Sequence, residues 1–132
     1  MVSGSCCCGA VKFELSEPPS LVGTCHCSRC RKVGASTIAF VKRKDFKLLQ
    51  GKDNISQYVP EEGYKYTRSF CKTCGSSLGE IGSEEDSFPI PANLLDGDIE
   101  LTVQFHEFVR EKPSWYEISD GAKQFAGHPE LD

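Results

Sequence analysis

Short alternations of apolar and polar residues run through this chain, with no apolar stripe at helical spacing. Val11-Lys12-Phe13-Glu14-Leu15 has the two-residue period of a half-buried strand. Tyr64-Lys65-Tyr66-Thr67 and Ile99-Glu100-Leu101-Thr102-Val103-Gln104-Phe105 repeat it, and Thr37-Ile38-Ala39-Phe40-Val41 is a β-branched apolar run of strand type. Turn residues separate the runs: Glu17-Pro18-Pro19, Gln50-Gly51-Lys52-Asp53, Pro60-Glu61-Glu62-Gly63 and Leu95-Asp96-Gly97-Asp98. Pro91 to Leu95 has room for one helical turn. The pattern predicts a mostly-β fold of short antiparallel strands over residues 1–132 as one domain, without repeats or a linker.

Composition sharpens this picture only slightly. With 132 residues, 39% hydrophobic and 26% charged, the chain has the make-up of an ordinary globular protein. No apolar run approaches the length of a membrane span, and Met1-Val2-Ser3-Gly4-Ser5 has no leader-like character. A cytoplasmic protein without membrane or nucleic-acid partners is the expectation. A formal charge of −4 argues against nucleic acid. The one basic run, Lys42 to Lys47, reads as a solvated strand end or turn.

Cysteines change the picture most. All eight fall in three clusters, Cys6-Cys7-Cys8-Gly9, Cys25-His26-Cys27-Ser28-Arg29-Cys30 and Cys71-Lys72-Thr73-Cys74-Gly75, and seven of them, all but Cys7, stand at metal-ligand spacing. In an oxidising compartment eight cysteines would suggest a disulfide framework; in a reducing one these spacings suggest metal ligands. On a strand, Cys6 and Cys8 would present both sulfurs to one side and Cys7 to the other, which makes Cys7 the odd thiol, expected as a small buried hydrophobe. With the Cys71/Cys74 knuckle they supply four thiolates, a closed zinc site. Gly75 would take the backbone conformation that a Cβ penalises.

Cys25, Cys27 and Cys30 lie within six residues and supply only three thiolates. A fourth ligand must be water, an incoming thiol or a distant residue such as His26 or His106; an iron–sulfur or other soft-metal site is the alternative. An open position there suits capture of a thiolate. Arg29, Arg31 and Lys32 are the cations nearest in sequence and would offset the cluster's charge. His106, on the polar side of its alternating run, is a candidate proton shuttle. Trp115 reads as core or pocket wall, and Ser76 and Ser77 as turn residues or contacts for a ligand carboxylate.

In this order and context, Gly4–Val11, Cys25–Lys32, Phe70–Gly75 and the stretch from His106 to Gly121, the clusters resemble the glutathione-dependent formaldehyde-activating enzyme family, which includes the centromere protein V domain. The resemblance implies a β-tent of antiparallel sheets organised around zinc, with a structural ion on Cys6, Cys8, Cys71 and Cys74 and a catalytic one on Cys25, Cys27 and Cys30. It implies a carbon–sulfur lyase of the S-hydroxymethylglutathione synthase type, acting on glutathione or a related thiol as a monomer or weak homodimer. The alternative is a zinc-binding glutathione carrier or protein-interaction module without catalysis. The basic extension of the centromere protein, the basis for chromatin binding, is not found here.

Overall fold

The computed structural model describes residues 1–129. Eleven short strands occur among these residues: β1 Val2–Ser5, β2 Lys12–Leu15, β3 Leu21–Cys25, β4 Thr37–Lys42, β5 Phe46–Gln50, β6 Ile55–Tyr58, β7 Arg68–Cys71, β8 Ser77–Gly79, β9 Ser87–Pro91, β10 Phe105–Glu107 and β11 Lys123–Gln124. A single five-residue helix, α1 (Ser28–Lys32), follows β3. The strands form a three-stranded sheet β1-β2-β5, a five-stranded sheet β11-β10-β3-β4-β9 and a second three-stranded sheet β6-β7-β8. Pairing is antiparallel except at β10, which runs parallel to both β3 and β11.

The alternation in the sequence becomes the inside and outside of these sheets. In β2, Phe13 and Leu15 are buried, while Lys12 is exposed. They meet Val41, Leu78, Phe88 and Ile90 in one apolar core shared by the three sheets; each such large apolar side chain stabilises the fold by roughly 1.5–3 kcal/mol. Gly23 of β3 lies directly beneath the ring of its parallel partner Phe105, in the space that a Cβ would occupy. Any larger residue there would push β10 off the sheet, and the site described below depends on that contact.

Two predicted strands move. Tyr64–Thr67 is irregular, and the strand begins at Arg68, where Ser69 and Cys71 turn into the core. Ile99–Gln104 keeps its alternation but is not paired as a strand; only Phe105 enters β10. There the backbone of Val22 is already satisfied by Gln104, which accepts from Val22 N–H through its side chain and donates its own N–H to Val22 O. The basic run is the predicted solvated turn, Arg43–Asp45, after β4. Ala92–Leu94 forms the expected single turn. Among the described residues no helix is long and apolar enough to cross a membrane.

Candidate metal centre and adjoining clefts

Two sulfur groups stand where the sequence predicts them. The thiols of Cys6, Cys8, Cys71 and Cys74 all lie within 4.8 Å of one another, as do those of Cys25, Cys27 and Cys30. Among the described residues, neither histidine nor any carboxylate joins either group.

The four-thiol group links the β1–β2 turn to the β7–β8 knuckle. Cys6–Cys8 is a turn and not a strand, so the two sulfurs reach one side through chain reversal, with Gly9 N–H bonded to Cys6 O at 3.1 Å. Cys7 is exposed, contrary to the expectation of a buried hydrophobe, because the turn directs its side chain to solvent; its N–H donates to Ser76 Oγ at 2.9 Å. In the knuckle Gly75 has φ of +77° and donates to Cys71 O at 2.9 Å, the left-handed turn that glycine permits. Backbone or amide N–H groups point at the sulfurs: Val11 N–H at Cys6 Sγ (3.3 Å) and Asn54 Nδ2 at Cys71 Sγ (3.2 Å). Ser76 Oγ lies 3.1 Å from Cys74 Sγ, and its hydroxyl and backbone N–H hold that thiol down to about 5. The Cys6–Cys8 and Cys8–Cys71 sulfur separations are 3.7 and 3.8 Å. A tetrahedron with zinc–sulfur bonds near 2.3 Å has edges of about 3.8 Å. The donor set therefore fits a closed tetrahedral zinc.

The three-thiol group forms where β3 runs into α1. Cys27 caps the helix, its sulfur accepting from Cys30 N–H at 3.3 Å, and Glu111 Oε1 accepts from Ser28 N–H at 3.3 Å. Both nitrogens at the tip of Arg68 lie 3.9 Å from Cys30 Sγ. A hydrogen bond from Cys25, then the Arg68 charge, lowers the Cys30 thiol to about 6, while the same bond and burial push Cys25 up. Glu107, opposite Cys25 in the β3–β10 register, has its carboxyl raised by burial.

The cations differ from those expected. Arg29 turns away to Glu61 (3.3 Å), Tyr58 (3.0 Å) and the face of Tyr64, and Arg31 donates to His26 O at 3.2 Å. Arg68, 38 residues from Cys30 and on another sheet, is the guanidinium at the thiols. Only its place one strand-length before the knuckle could have suggested it. Arg68, Tyr58, Ser69, Phe70, Gly75 and Ser77 line a cleft of about 210 Å³ that runs from this cation toward the knuckle.

His26 lies between two of the thiols in sequence, yet its ring is turned to the other side. His26 Nε2 is 2.8 Å from His106 Nδ1, and His106 Nε2 is 2.9 Å from Asp120 Oδ1. Both histidines are buried. The C-terminal segment covers His106, so the polar side of its run is enclosed. With both ring nitrogens engaged, His106 cannot meet a substrate directly, and any proton it handles must pass through His26 or Asp120. Burial lowers the His26 imidazole below its ordinary range; the Ala122 N–H and then His106 hold Asp120 low. Trp115 is 77% exposed and so is not core; with His26, Arg31 and Tyr116 it borders a second cleft of about 330 Å³.

A family model described as glutathione-dependent formaldehyde-activating enzyme matches residues 1–111. A Halomonas elongata protein provisionally named as a glutathione-dependent formaldehyde-activating enzyme is 31% identical, the alignment taking in 98% of this chain and 90% of that protein. A crystal structure of a Rhodobacter sphaeroides protein superposes with a TM-score of 0.60 at 28% identity, covering 74% of this chain and 90% of that one. The chain belongs to the glutathione-dependent formaldehyde-activating enzyme family.

Proposed function

We propose that this family member is a zinc-dependent enzyme acting on adducts of glutathione or a related thiol, a carbon–sulfur lyase of the S-hydroxymethylglutathione type. The observation that carries this reading is a sulfur group one ligand short of closure, with the Arg68 guanidinium beside it. Cys25, Cys27 and Cys30 would hold the catalytic zinc; Cys6, Cys8, Cys71 and Cys74 the structural one. When bound, the catalytic ion supplies a Lewis-acidic open position that favours the thiolate form of an incoming thiol.

The chain's own residues account for the rest. Three thiolates around a divalent ion leave a net negative charge, which would repel an anionic thiol. Arg68 offsets it at 3.9 Å from Cys30 Sγ and marks the cleft by which the thiol enters. Ser69, Ser77 and the Tyr58 hydroxyl supply hydrogen-bonding groups along that cleft. In the synthetic direction the thiol sulfur bonds to the aldehyde carbon and the thiol proton ends on the carbinol oxygen; cleavage is the reverse. His106, the candidate proton shuttle, bonds His26 on the side of the Cys25–Cys30 segment away from the sulfurs, so the proton transfer at the carbinol oxygen falls to groups other than these two rings. The protein acts in the cytoplasm as a monomer or weak homodimer, with a small-molecule thiol as its partner.

The test is the rate of S-hydroxymethylglutathione formation and breakdown with zinc-loaded protein, followed by exchange NMR against the uncatalysed reaction. Acceleration that Cys27→Ser abolishes in a still-folded protein supports the enzyme. Calorimetry showing no thiol binding, together with no acceleration, sinks it. The carrier reading has one observation in its favour: among the described residues, no histidine faces the three thiols. Saturable glutathione binding without acceleration would establish it instead.

A further inference from the structure

The larger cleft lies on the other side of the Cys25–Cys30 segment from its sulfurs, and residues beyond the family-model match build one of its walls. His26, Arg31, Lys32, Ser36, Trp115 and Tyr116 line it. Three features there are unexplained by the thiol site. Trp115 is the chain's one tryptophan and is 77% exposed at the rim. Arg31 spends only its Nε on the His26 carbonyl, and neither Arg31 nor Lys32 forms an ion pair among the described residues. The His26 ring, in a residue only 3% exposed, bonds through Nε2 alone among the described residues. Among the described residues every fully enclosed side-chain nitrogen and oxygen has a partner and His26 Nδ1 has none, so that nitrogen is not fully enclosed, and His26 lines the cleft.

The hydrogen-bond chain determines what that nitrogen offers. Asp120 is a carboxylate and can only accept, so His106 carries its proton on Nε2, 2.9 and 3.0 Å from the two oxygens. The tautomer with that single proton presents a lone pair at His106 Nδ1, to which His26 donates from Nε2 across 2.8 Å. His26 Nδ1 is left as a lone pair: an acceptor set in an otherwise cationic and aromatic cleft.

We propose that this cleft is a second ligand site, for a small aromatic carboxylate bearing a hydroxyl group. The carboxylate meets Arg31 and Lys32, the ring lies against Trp115 and Tyr116, and the hydroxyl donates to His26 Nδ1. A cleft of about 330 Å³ suits one substituted ring. Asp120 and His106 act as positioning residues: they fix the tautomer that makes the hydroxyl worth recognising. The site does not rest on the thiol chemistry proposed above.

The experiment uses the full zinc-loaded chain and the Trp115 indole N–H resonance, which has no counterpart elsewhere in the sequence. Titration with 3- and 4-hydroxybenzoate should shift it saturably. Benzoate and phenol should each bind about tenfold or more weakly than the better isomer, and Arg31→Gln should weaken that isomer by a similar factor, the scale of one charge-assisted or buried hydrogen bond. In Asp120→Asn the amide can donate to His106 Nε2 and reverse the chain, so the hydroxyl advantage over benzoate should vanish while dependence on Arg31 persists. Nitrogen-15 shifts of His26 in the unaltered protein should show Nδ1 unprotonated and Nε2 protonated, whatever becomes of the variant. Lack of a saturable shift with either isomer overturns the proposal, as does a protonated Nδ1. Displacement of the hydroxybenzoate by glutathione at the same resonance also overturns it, by making the cleft part of the thiol site. None of these readouts depends on turnover of a thiol adduct, so their failure leaves the enzyme reading standing, and the reverse holds too.

Discussion

The two sulfur groups use the same ligand in opposite ways. One gathers Cys6 and Cys8 with Cys71 and Cys74 from two sheets, and its Cys6 and Cys71 belong to the apolar core. The other takes Cys25, Cys27 and Cys30 from one strand-to-helix junction, which meets the rest of the molecule through Arg68, Glu111 and the pairing of β3 with β4 and β10. A cross-link between distant segments constrains the unfolded chain far more than a local one does. A local cluster, by contrast, can lose or exchange a ligand without opening the core. The four-thiol group is therefore expected to hold the fold, and the three-thiol group to be free for chemistry.

Substitution at equivalent positions should break that symmetry most clearly. Structural zinc contributes on the order of 10 kcal/mol in small domains, comparable to the whole stability of a chain this size. Cys71→Ser should leave no cooperative thermal transition by circular dichroism, whereas Cys27→Ser should melt cooperatively within several degrees of the parent. Similar melting in both variants would remove the distinction. Chelation should show the same ordering with smaller amplitude. Metal analysis during stepwise chelator addition should pass through a plateau of one zinc per chain, with the melting temperature lowered by only a few degrees, before the second ion leaves with unfolding. Simultaneous loss of both ions would count against it.

Arg68 gives a third comparison, confined to the open group. Arg68→Gln should weaken thiol-ligand binding by about tenfold to a hundredfold, the range for a charge-assisted hydrogen bond. Arg29→Gln, at a residue already paired with Glu61 and stacked on Tyr64, should change it less than about threefold. Calorimetric titration with glutathione measures both. Equal effects would mean that the cluster senses only the general field around it.

The two thiol groups were legible because thiol spacing is a local property: three sulfurs within six residues can converge wherever the segment lies. Strand existence was legible for β2 and β4, where alternation coincides with one buried face. Tyr64–Thr67 failed because its alternation faces no core, while Arg68–Cys71 became the strand through pairing with β6 and β8. What the sequence could not disclose is proximity across sheets. Arg68 meets Cys30 from 38 positions away, and Asp120 reaches His106 only because Lys123–Gln124 adds a parallel strand beside β10. Trp115 likewise looked like core because size favours burial, whereas its segment forms an exposed rim.

The smallest expected effect concerns that C-terminal rim. Asp120 is held below the usual carboxylate range, first by the Ala122 N–H and then by His106. A depressed folded-state value means that its contribution to holding the segment is complete above the ordinary carboxylate range, near 4 by approximate model values. It is lost as pH falls through the lower folded value. The Asp120 side chain is 45% exposed, so screening keeps the change modest. The Phe125 amide, which donates to His106 O at 2.8 Å, reports on the docking of the segment. Its hydrogen-exchange protection, corrected for the intrinsic rate, should fall as the pH drops below about 4, while the four-thiol turn should show no loss assignable to Asp120. Asp120→Asn should begin less protected and lose less over the same interval. If parent and variant trace the same curve, the carboxylate does not tie the segment down, and the docking rests on β11 pairing alone.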